Sequence, residues 1–150
     1  MKSIIYVFII LVALSIPSER MDVGKLKPVG LLCVYEESGK VIIMTDTDDY
    51  GIGENVDETI KNLEGTTAGK IYLDTADYLL VKEGGEHLIG EMGPYLDPSV
   101  KLCRFLGKIE PKQAHEYLQT HEPEISIYKW KTSENLTTIE ETNGRIRVIN

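Results

Sequence analysis

The side chains of this chain that are best suited to chemistry are aspartates in two short acidic segments, 46–53 and 73–77. Two carboxylates that lie close together can share a proton and activate water, or they can bind a divalent cation. The histidines His87, His115 and His121 have no spacing that places two of them on one helical face as metal ligands. The acidic segments therefore decide whether the sequence predicts a reactive site.

The segment LDTAD at 73–77 contains an Asp-Thr-Ala triplet that begins at Asp74, and Asp77 follows it. Retroviral-type aspartic proteases use such a turn from each of two subunits, so that two aspartates share one proton. Because that fold is nearly all β and this chain predicts about three helices, we favour a strand interruption whose aspartates face solvent. A small hydrolase that uses Asp74 or Asp77 is kept as the alternative function.

The segment DTDDYGIG resembles part of a calcium-binding loop. Asp46, Asp48 and Gly51 match positions one, three and six of that loop. Tyr50 stands at position five, where a carboxylate is required, and Asp57 at position twelve is shorter than the usual bidentate glutamate. The segment also follows a predicted strand instead of a helix, so we expect a solvated, aspartate-rich turn.

No serine lies in a Gly-x-Ser-x-Gly turn, and the glycine pairs lack the strand-to-helix setting of a dinucleotide site. The sequence therefore identifies no catalytic residue, no metal site and no cofactor site. The aromatic residues Tyr117, Tyr128 and Trp130 are expected to pack in the core or at its rim, with an interaction patch as the alternative.

Cys33 and Cys103 are the only cysteines of the chain, and both lie in apolar segments, 31–34 and 102–105. In an exported protein such a pair permits a disulfide that closes a long loop, worth up to about 4 kcal/mol. Buried unpaired cysteines would give the same pattern. We favour two unpaired thiols over a disulfide.

The composition is that of one globular domain of 150 residues, with 42% apolar and 27% charged residues. The net charge is −8, and the acidic residues are spread along the chain. Nucleic-acid binding needs a clustered basic face, and adhesion to anionic lipid also needs basic residues. Neither partner is therefore expected.

The N-terminus has the pattern of an export signal. Lys2 precedes a nearly uninterrupted apolar run at 4–16, which polar residues and a proline then end. This run is shorter than a standard membrane span of about 20 residues. We predict a signal peptide or short membrane anchor at 1–18, a linker at 19–27 and a single α/β domain at 28–150. The domain is thus expected outside the cytoplasm, in contact with the membrane only through the N-terminal segment.

A helix near the middle of the chain is the best-defined local element. Asn55 and Glu58 form a capping-box pattern at its start, and Gly65 stands where a terminating glycine is expected. Its apolar stripe consists of Val56, Ile60 and Leu63. Strands are predicted at about 29–36, 40–46, 71–81, 100–106 and 124–130, with an interruption at 74–77 and a loop at 46–53.

Two further helices are predicted, one bent or split over 88–96 and one that begins at Pro111. Asn143-Gly144 predicts a type I′ hairpin that pairs Ile139 with Val148 and Glu140 with Arg147. The order ββαβαβα followed by β elements predicts the α/β class, with a mixed sheet of about five strands, a C-terminal hairpin and about three helices.

The span Gly53–Pro123 resembles the N-terminal domain of the C subunit of spore-germinant receptors, the Ger(x)C family. The resemblance covers about half of the chain and includes no catalytic position. It is carried by the segments 55–63, 71–81, 97–102 and 113–118. The family implies a helix, an apolar strand, a second helix, a step through Asp-Pro into a strand, and a final helix.

The resemblance also implies where such a domain works. Proteins of the family are anchored by a lipid on an N-terminal cysteine, which this chain lacks, and carry two further domains for which it has no length. It implies an envelope domain of a sporulating, Gram-positive-type bacterium with a binding or scaffolding role in germination. We therefore expect a non-enzymatic, exported or membrane-tethered module that binds another envelope protein. The sequence does not define its oligomeric state.

Overall fold

The computed structural model describes residues 26–130 and 135–149. The predicted signal or anchor segment at 1–18 lies outside the described residues, as does most of the predicted linker. No helix within the described ranges is long and apolar enough to cross a bilayer.

The described residues form nine strands and three α-helices. The strands are β1 (Leu26–Pro28), β2 (Leu31–Glu37), β3 (Lys40–Thr45), β4 (Tyr50–Gly53), β5 (Lys70–Tyr72), β6 (Tyr78–Lys82), β7 (Lys101–Leu106), β8 (Thr138–Thr142) and β9 (Arg145–Ile149). The helices are α1 (Val56–Thr66), α2 (His87–Met92) and α3 (Pro111–Leu118). The predicted α/β class is therefore confirmed.

A mixed seven-stranded sheet in the order β4-β3-β2-β6-β7-β8-β9 forms the centre of the fold. The four strands β2, β6, β7 and β8 are parallel neighbours, while β3 and β9 run antiparallel to their inner neighbours. The sheet thus has a parallel middle with an antiparallel hairpin on each side, which places the apolar strands β2 and β6 at its buried centre.

The helices cover the two faces of this sheet unequally. On one face, Leu32 and Val34 of β2 pack in the same cluster as the buried residues of α1 and α2. On the other face, Leu31 and Cys33 pack in the same cluster as Ala114 and Leu118 of α3. The described part of the chain is therefore a three-layer α/β/α sandwich with two of its helices on one side and one on the other.

Strand β4 corrects the predicted loop at 46–53. Gly51 and Gly53 look like loop residues in the sequence, but they lie directly beneath the backbone of α1. A Cβ atom on Gly51 would lie 2.8 Å from the Cβ atom of Leu63, and one on Gly53 would clash with the backbone of Thr59. Glycine is needed here because a helix approaches a strand closely, and not because the chain turns.

A second sheet corrects the predicted linker at 19–27 and the predicted strand at 71–81. Leu26 and Lys27 belong to β1, which pairs in parallel with β5. A short 3-10 helix, Leu73–Thr75, then separates β5 from β6. The predicted interruption at 74–77 is thus present. The prediction that one strand continues beyond it is wrong, because β5 belongs to the small sheet and β6 to the large one.

Helix α1 begins as predicted and ends later. Asn55 Oδ1 accepts a hydrogen bond from the Glu58 amide at 2.9 Å, which confirms the N-cap. The Glu58 carboxylate accepts from the amide of Glu54, one residue before the position that a capping box predicts. Gly65 lies inside the helix because the hydroxyl of Thr67 and its amide both bond to the Leu63 carbonyl, which extends the last turn.

The predicted strand at 124–130 is wrong. This segment touches the sheet through a single bridge between Ser126 and Lys101, and Ile125 and Ile127 pack against the core. The amides of Lys129 and Trp130 then donate back to the Ser126 carbonyl. These local bonds coil the chain and remove the backbone groups that a strand would offer to the sheet.

The remaining local predictions are confirmed. Helix α2 ends at Met92 and a 3-10 turn, Gly93–Tyr95, follows, so the predicted helix is split at its glycines. Pro111 is the first residue of α3. The C-terminal hairpin pairs Ile139 with Val148 and Glu140 with Arg147.

Candidate functional site

The connections after β6 and β7 leave the sheet toward opposite faces. Strand β6 leads to α2, which packs on the face of α1, whereas β7 leads to α3 on the other face. In open α/β sheets, ligands bind outside the carboxyl ends of the parallel strands, at the point where neighbouring connections diverge. The fold therefore directs attention to the carboxyl ends of β2, β6 and β7.

A depression of about 210 Å³ lies at these strand ends. We call it the carboxyl-end crevice, and its lining residues are Tyr35, Glu37, Met44, Lys82, Phe105, Gly107, Lys108 and Ile109. The lining combines an apolar floor with two lysines and one glutamate. Such a combination suits a small amphiphilic ligand.

The aromatic residues of the crevice hold one another in place. The rings of Tyr35 and Phe105 meet edge to face, with centroids 6.3 Å apart. The ammonium group of Lys82 lies 5.3 Å from the centroid of the Tyr35 ring, within the range of a cation–π contact. Burial raises the pKa of Tyr35, and the charge of Glu37 adds to this effect. The phenol is therefore a neutral hydrogen-bonding group at neutral pH.

At the opposite end of the sheet, Asp46 and His115 form a half-buried pair. The imidazole Nδ1 of His115 lies 2.7 Å from Asp46 Oδ2. Both carboxylate oxygens of Asp46 also accept from the Gly30 amide, at 3.1 and 3.3 Å. Gly30 leaves the space for the ring, since a Cβ atom there would collide with His115. The pair thus fastens α3 to the end of β3.

The chemistry open to this pair is limited by its neighbours. An aspartate that orients a histidine is part of a nucleophile-activating triad only when a hydroxyl or thiol lies within reach of the other ring nitrogen. Here the Nε2 atom of His115 lies 3.4 Å from the amide nitrogen of Gln119, and the hydroxyl of the adjacent Tyr78 donates to the Leu118 carbonyl. The geometry is that of a structural, hydrogen-bonded pair.

The two aspartates of the hydrolase alternative do not share a pocket. Asp74 is exposed on the 3-10 helix and lines a groove with residues of α1, including Asp57 and Lys61. Asp77 is exposed at the start of β6 and lines a different depression that contains Lys101 and no residue of the first groove. Because the two carboxylates face separate surfaces, the structure does not bring them together as a proton-sharing pair.

The acidic segment at 46–53 is held by bonds within the chain. Asp46 bonds to His115, and Asp49 forms an ion pair with Lys27 at 2.7 Å. Partial burial raises the pKa of Asp49, but the hydrogen bonds from Lys27 and Thr47 outweigh burial and hold it below its ordinary value. Within the described residues, no three histidine, cysteine, aspartate or glutamate side chains cluster as metal ligands.

The two other histidines lie apart from one another on the surface. His87 contacts Glu36 at 3.2 Å, and His121 stacks on the ring of Tyr117 with centroids 4.2 Å apart. Of the aromatic residues assigned to packing, Trp130 is half-buried against the core, whereas Tyr128 is 82% exposed.

Cys33 and Cys103 lie in one row across the sheet with Leu80 between them. Cys33 pairs with Leu80, and Leu80 pairs with Cys103 on the next strand. Two strand spacings separate their Cα atoms by roughly 9–10 Å, which is too far for a disulfide. Both thiols are buried and unpaired, as we favoured from the sequence. Burial raises the pKa of Cys33 strongly and that of Cys103 to about 12.

The two edges of the large sheet differ. On β4, the outward amide of Ile52 donates to Asn62 of α1, and the outward carbonyl of Tyr50 accepts from Thr66. Helix side chains therefore cover the polar groups of that edge. On β9, the outer side pairs with no other described strand, and Val148 is 39% exposed. An uncovered edge of this kind can accept another strand.

The chain matches no protein-family model, no curated protein and no solved structure at a significant level. The carboxyl-end crevice and the edge of β9 are the two surfaces of the described residues that suit binding. The sequence pattern predicts neither of these features. The crevice depends on which face each helix covers, which sequence periodicity does not report. The edge could have been recognised from the hairpin signal, since a C-terminal hairpin often ends a sheet.

Proposed function

We propose that the chain is a non-enzymatic, extracytoplasmic α/β module that binds a segment of another envelope protein as an added strand on β9. The observation that carries this proposal is the contrast between the two sheet edges: α1 covers the polar groups of β4, whereas no strand among residues 26–130 and 135–149 pairs with the outer side of β9. Strand addition uses backbone hydrogen bonds for affinity and alternate side chains for specificity.

The hairpin turn identifies the backbone groups that are offered. Asn143 and Gly144 both have positive φ, 53° and 70°, as a type I′ turn requires. In such a hairpin the pair next to the turn, Thr142 with Arg145, is hydrogen-bonded. Hydrogen-bonded and non-hydrogen-bonded pairs then alternate along the two strands, and Ile146 and Val148 belong to non-hydrogen-bonded pairs. The amides and carbonyls of Ile146 and Val148 therefore point outward, away from β8.

The side chains of β9 define the chemistry of the partner. Ile146 and Val148 lie on the face of α3 and offer an apolar strip, while Arg145 and Arg147 lie on the opposite face. Arg147 pairs with Glu140 at 2.8 Å in an exposed contact, which costs little to rearrange. The two arginines form a local positive charge on a chain whose net charge is −8. They therefore favour acidic residues in the partner. The added strand should alternate apolar and acidic residues.

Two sequence features support the cell envelope as the setting. The apolar run near the N-terminus has the pattern of an export signal or anchor. The resemblance of Gly53–Pro123 to the germinant-receptor C subunit supports a role in spore germination in a Gram-positive-type bacterium. We infer that the module acts as a scaffold there, and cell fractionation should recover it with the membrane or the medium. Recovery from the cytosol alone would contradict this setting.

The alternative of a small hydrolase requires a proton-sharing pair that includes Asp74 or Asp77. The separation of these residues into two surface depressions favours the interaction module over that alternative. A peptidase assay with a mixed peptide substrate should therefore show no cleavage above that of an Asp74→Asn, Asp77→Asn double variant. Cleavage that disappears in the double variant would establish the hydrolase instead.

The proposed binding mode is tested by selecting a displayed library of random eight-residue peptides against the purified chain. We expect enriched peptides to alternate apolar with aspartate or glutamate residues. The enriched peptides are then synthesised, and exchange of both Arg145 and Arg147 for Gln should weaken the affinity of the chain for these peptides at least about tenfold. Exchange of the exposed Lys40 and Lys61 for Gln is the matched control and should leave affinity unchanged, since both lie far from β9 in the sheet order. Enrichment of basic or helical peptides, or equal loss in both double variants, would overturn the proposal.

A further inference from the structure

We propose that the carboxyl-end crevice is a second binding site, which takes a small organic carboxylate with an aromatic or branched apolar group. This site is independent of the edge of β9 and would operate whether or not β9 binds a partner strand. The proposal rests on the position of the crevice in the fold, the composition of its lining and the charges at its rim.

The position is the one at which an α/β sheet forms a ligand site. Tyr35, Lys82 and Phe105 lie at or near the carboxyl ends of three adjacent parallel strands. Tyr35 and Phe105 pack in the cluster on the face of α3, and Lys82 pairs with Phe105. The crevice therefore opens on that face, beside the connection from β7 to α3 that supplies Gly107, Lys108 and Ile109. The crevice therefore follows from the chain path.

The floor of the crevice is apolar and largely buried. Phe105 is 2% exposed, Ile109 is buried, and Tyr35 and Met44 are half-buried beside them. A methionine at the edge of an aromatic pair adapts to the shape of an inserted apolar group. The volume of about 210 Å³ corresponds to roughly seven water molecules. A depression of that size suits a ligand comparable to benzoate.

The rim supplies the positive charge. Lys82 and Lys108 line the crevice, and among the described residues neither has a carboxylate oxygen within 4.0 Å. The cation–π contact with Tyr35 keeps the ammonium group of Lys82 over the apolar floor. Glu37 is the only acidic residue of the lining, so the two cations outnumber it. An anionic head with an apolar body satisfies both parts of the lining.

The test is a titration of the full chain, labelled with ¹⁵N, with benzoate, benzamide and benzylamine. These probes share one ring and differ in charge. We expect benzoate to shift the amides of Tyr35, Lys82 and Gly107 with saturation. Benzamide should bind at least about tenfold more weakly, and benzylamine should not bind. Shifts that do not saturate, that map elsewhere, or that are equal for all three probes would overturn the proposal.

Charge variants separate this site from general adsorption. Lys82→Met and Lys108→Met should each weaken benzoate binding at least about threefold, because each removes a rim cation while keeping an apolar stem. Lys112→Met is the matched control, since Lys112 is exposed on α3 and does not line the crevice. Unchanged affinity in both rim variants, in proteins whose amide spectra show an intact fold, would also overturn the proposal.

Discussion

The imidazole of His115 on α3 lies 2.7 Å from the carboxylate of Asp46 at the end of β3. Only 19% of the His115 side chain and 10% of the Asp46 side chain are exposed. Together with the bond from the Tyr78 hydroxyl to the Leu118 carbonyl, this pair fastens α3 to its face of the sheet, and the absence of a side chain at Gly30 makes room for it. An aspartate that resembles a calcium ligand in the sequence thus serves to dock a helix.

His115→Ala should lower the free energy of unfolding by about 1–3 kcal/mol. The substitution leaves the half-buried carboxylate of Asp46 with the Gly30 amide alone, and a buried polar group that loses a partner carries a penalty of this size. Urea unfolding measures the change. His87→Ala is the matched control and should change stability by less than about 0.5 kcal/mol, since the contact of His87 with Glu36 is exposed. Equal effects would mean that the pair does not dock the helix.

Gly51→Ala and Gly65→Ala should change stability in opposite directions, although both residues look like loop or cap glycines in the sequence. A methyl group at Gly51 would collide with the backbone of α1, so we expect a loss of about 1–3 kcal/mol. Gly65 lies inside the helix with open space around it, so alanine there should add up to about 1 kcal/mol. Thermal unfolding of both variants decides the point. A stable Gly51→Ala protein would contradict the close packing of α1 on β4.

Leu63→Ala should destabilise the protein far more than Asp74→Asn. Leu63 is fully buried between α1 and the sheet, and truncation of such a leucine costs about 2–5 kcal/mol. Asp74 is exposed on the 3-10 helix, where a substitution changes stability by no more than about 0.5 kcal/mol. Chemical denaturation of the two variants tests this order. A Leu63→Ala protein as stable as the wild type would show that the buried face of α1 is assigned incorrectly.

The buried thiols should make the protein less stable at alkaline pH. An unfolded thiol ionises near its ordinary pKa of 9.0, whereas burial holds the pKa of Cys103 at about 12 in the folded state. Between these values the unfolded chain has lost a proton that the folded chain keeps. Stability is therefore fully present below pH 9 and falls as the pH rises toward 12, by about 1.4 kcal/mol per pH unit for this thiol.

Urea unfolding at several pH values between 9 and 10.5 measures this slope. Cys103→Ala should reduce the slope of stability against pH, because the variant lacks one of the two buried thiols. A lower stability of the variant at every pH does not affect this comparison of slopes. Alkylation without reductant should modify both cysteines after unfolding and neither in the folded protein, because the two sulfur atoms are buried and unpaired. Identical slopes in the wild type and the variant, or a protected cysteine pair, would contradict the assignment.

The features that could be predicted from the sequence are those that residues close in the chain determine. The Asn143-Gly144 turn, the Asn55 cap, Pro111 at the start of α3 and the glycine break after Met92 all depend on backbone conformations that neighbouring residues determine. These features could be predicted, and with them the α/β class.

The differences from prediction have two physical causes. Gly51 and Gly53 form a strand because α1, which is distant in the chain until the protein folds, packs on them. The segment at 124–130 coils because the amides of Lys129 and Trp130 bond back to the Ser126 carbonyl, a local bond that the alternation of apolar residues does not report. The carboxyl-end crevice depends on tertiary contacts, since residues of four strands and of the connection from β7 to α3 line it together.

The central claim is that the outward backbone groups of Ile146 and Val148 bind a partner strand. It is tested most directly by the amide hydrogen exchange of these two residues, with and without a peptide enriched in the selection above. We expect the bound peptide to slow exchange at both amides and to leave exchange of the Ile52 amide unchanged, because Asn62 already accepts a hydrogen bond from that amide. Val148→Pro should abolish peptide binding without unfolding the chain, since a proline is tolerated where an edge amide faces solvent. Unchanged exchange at Ile146 and Val148 in the complex, or full binding by a folded Val148→Pro protein, would contradict the claim.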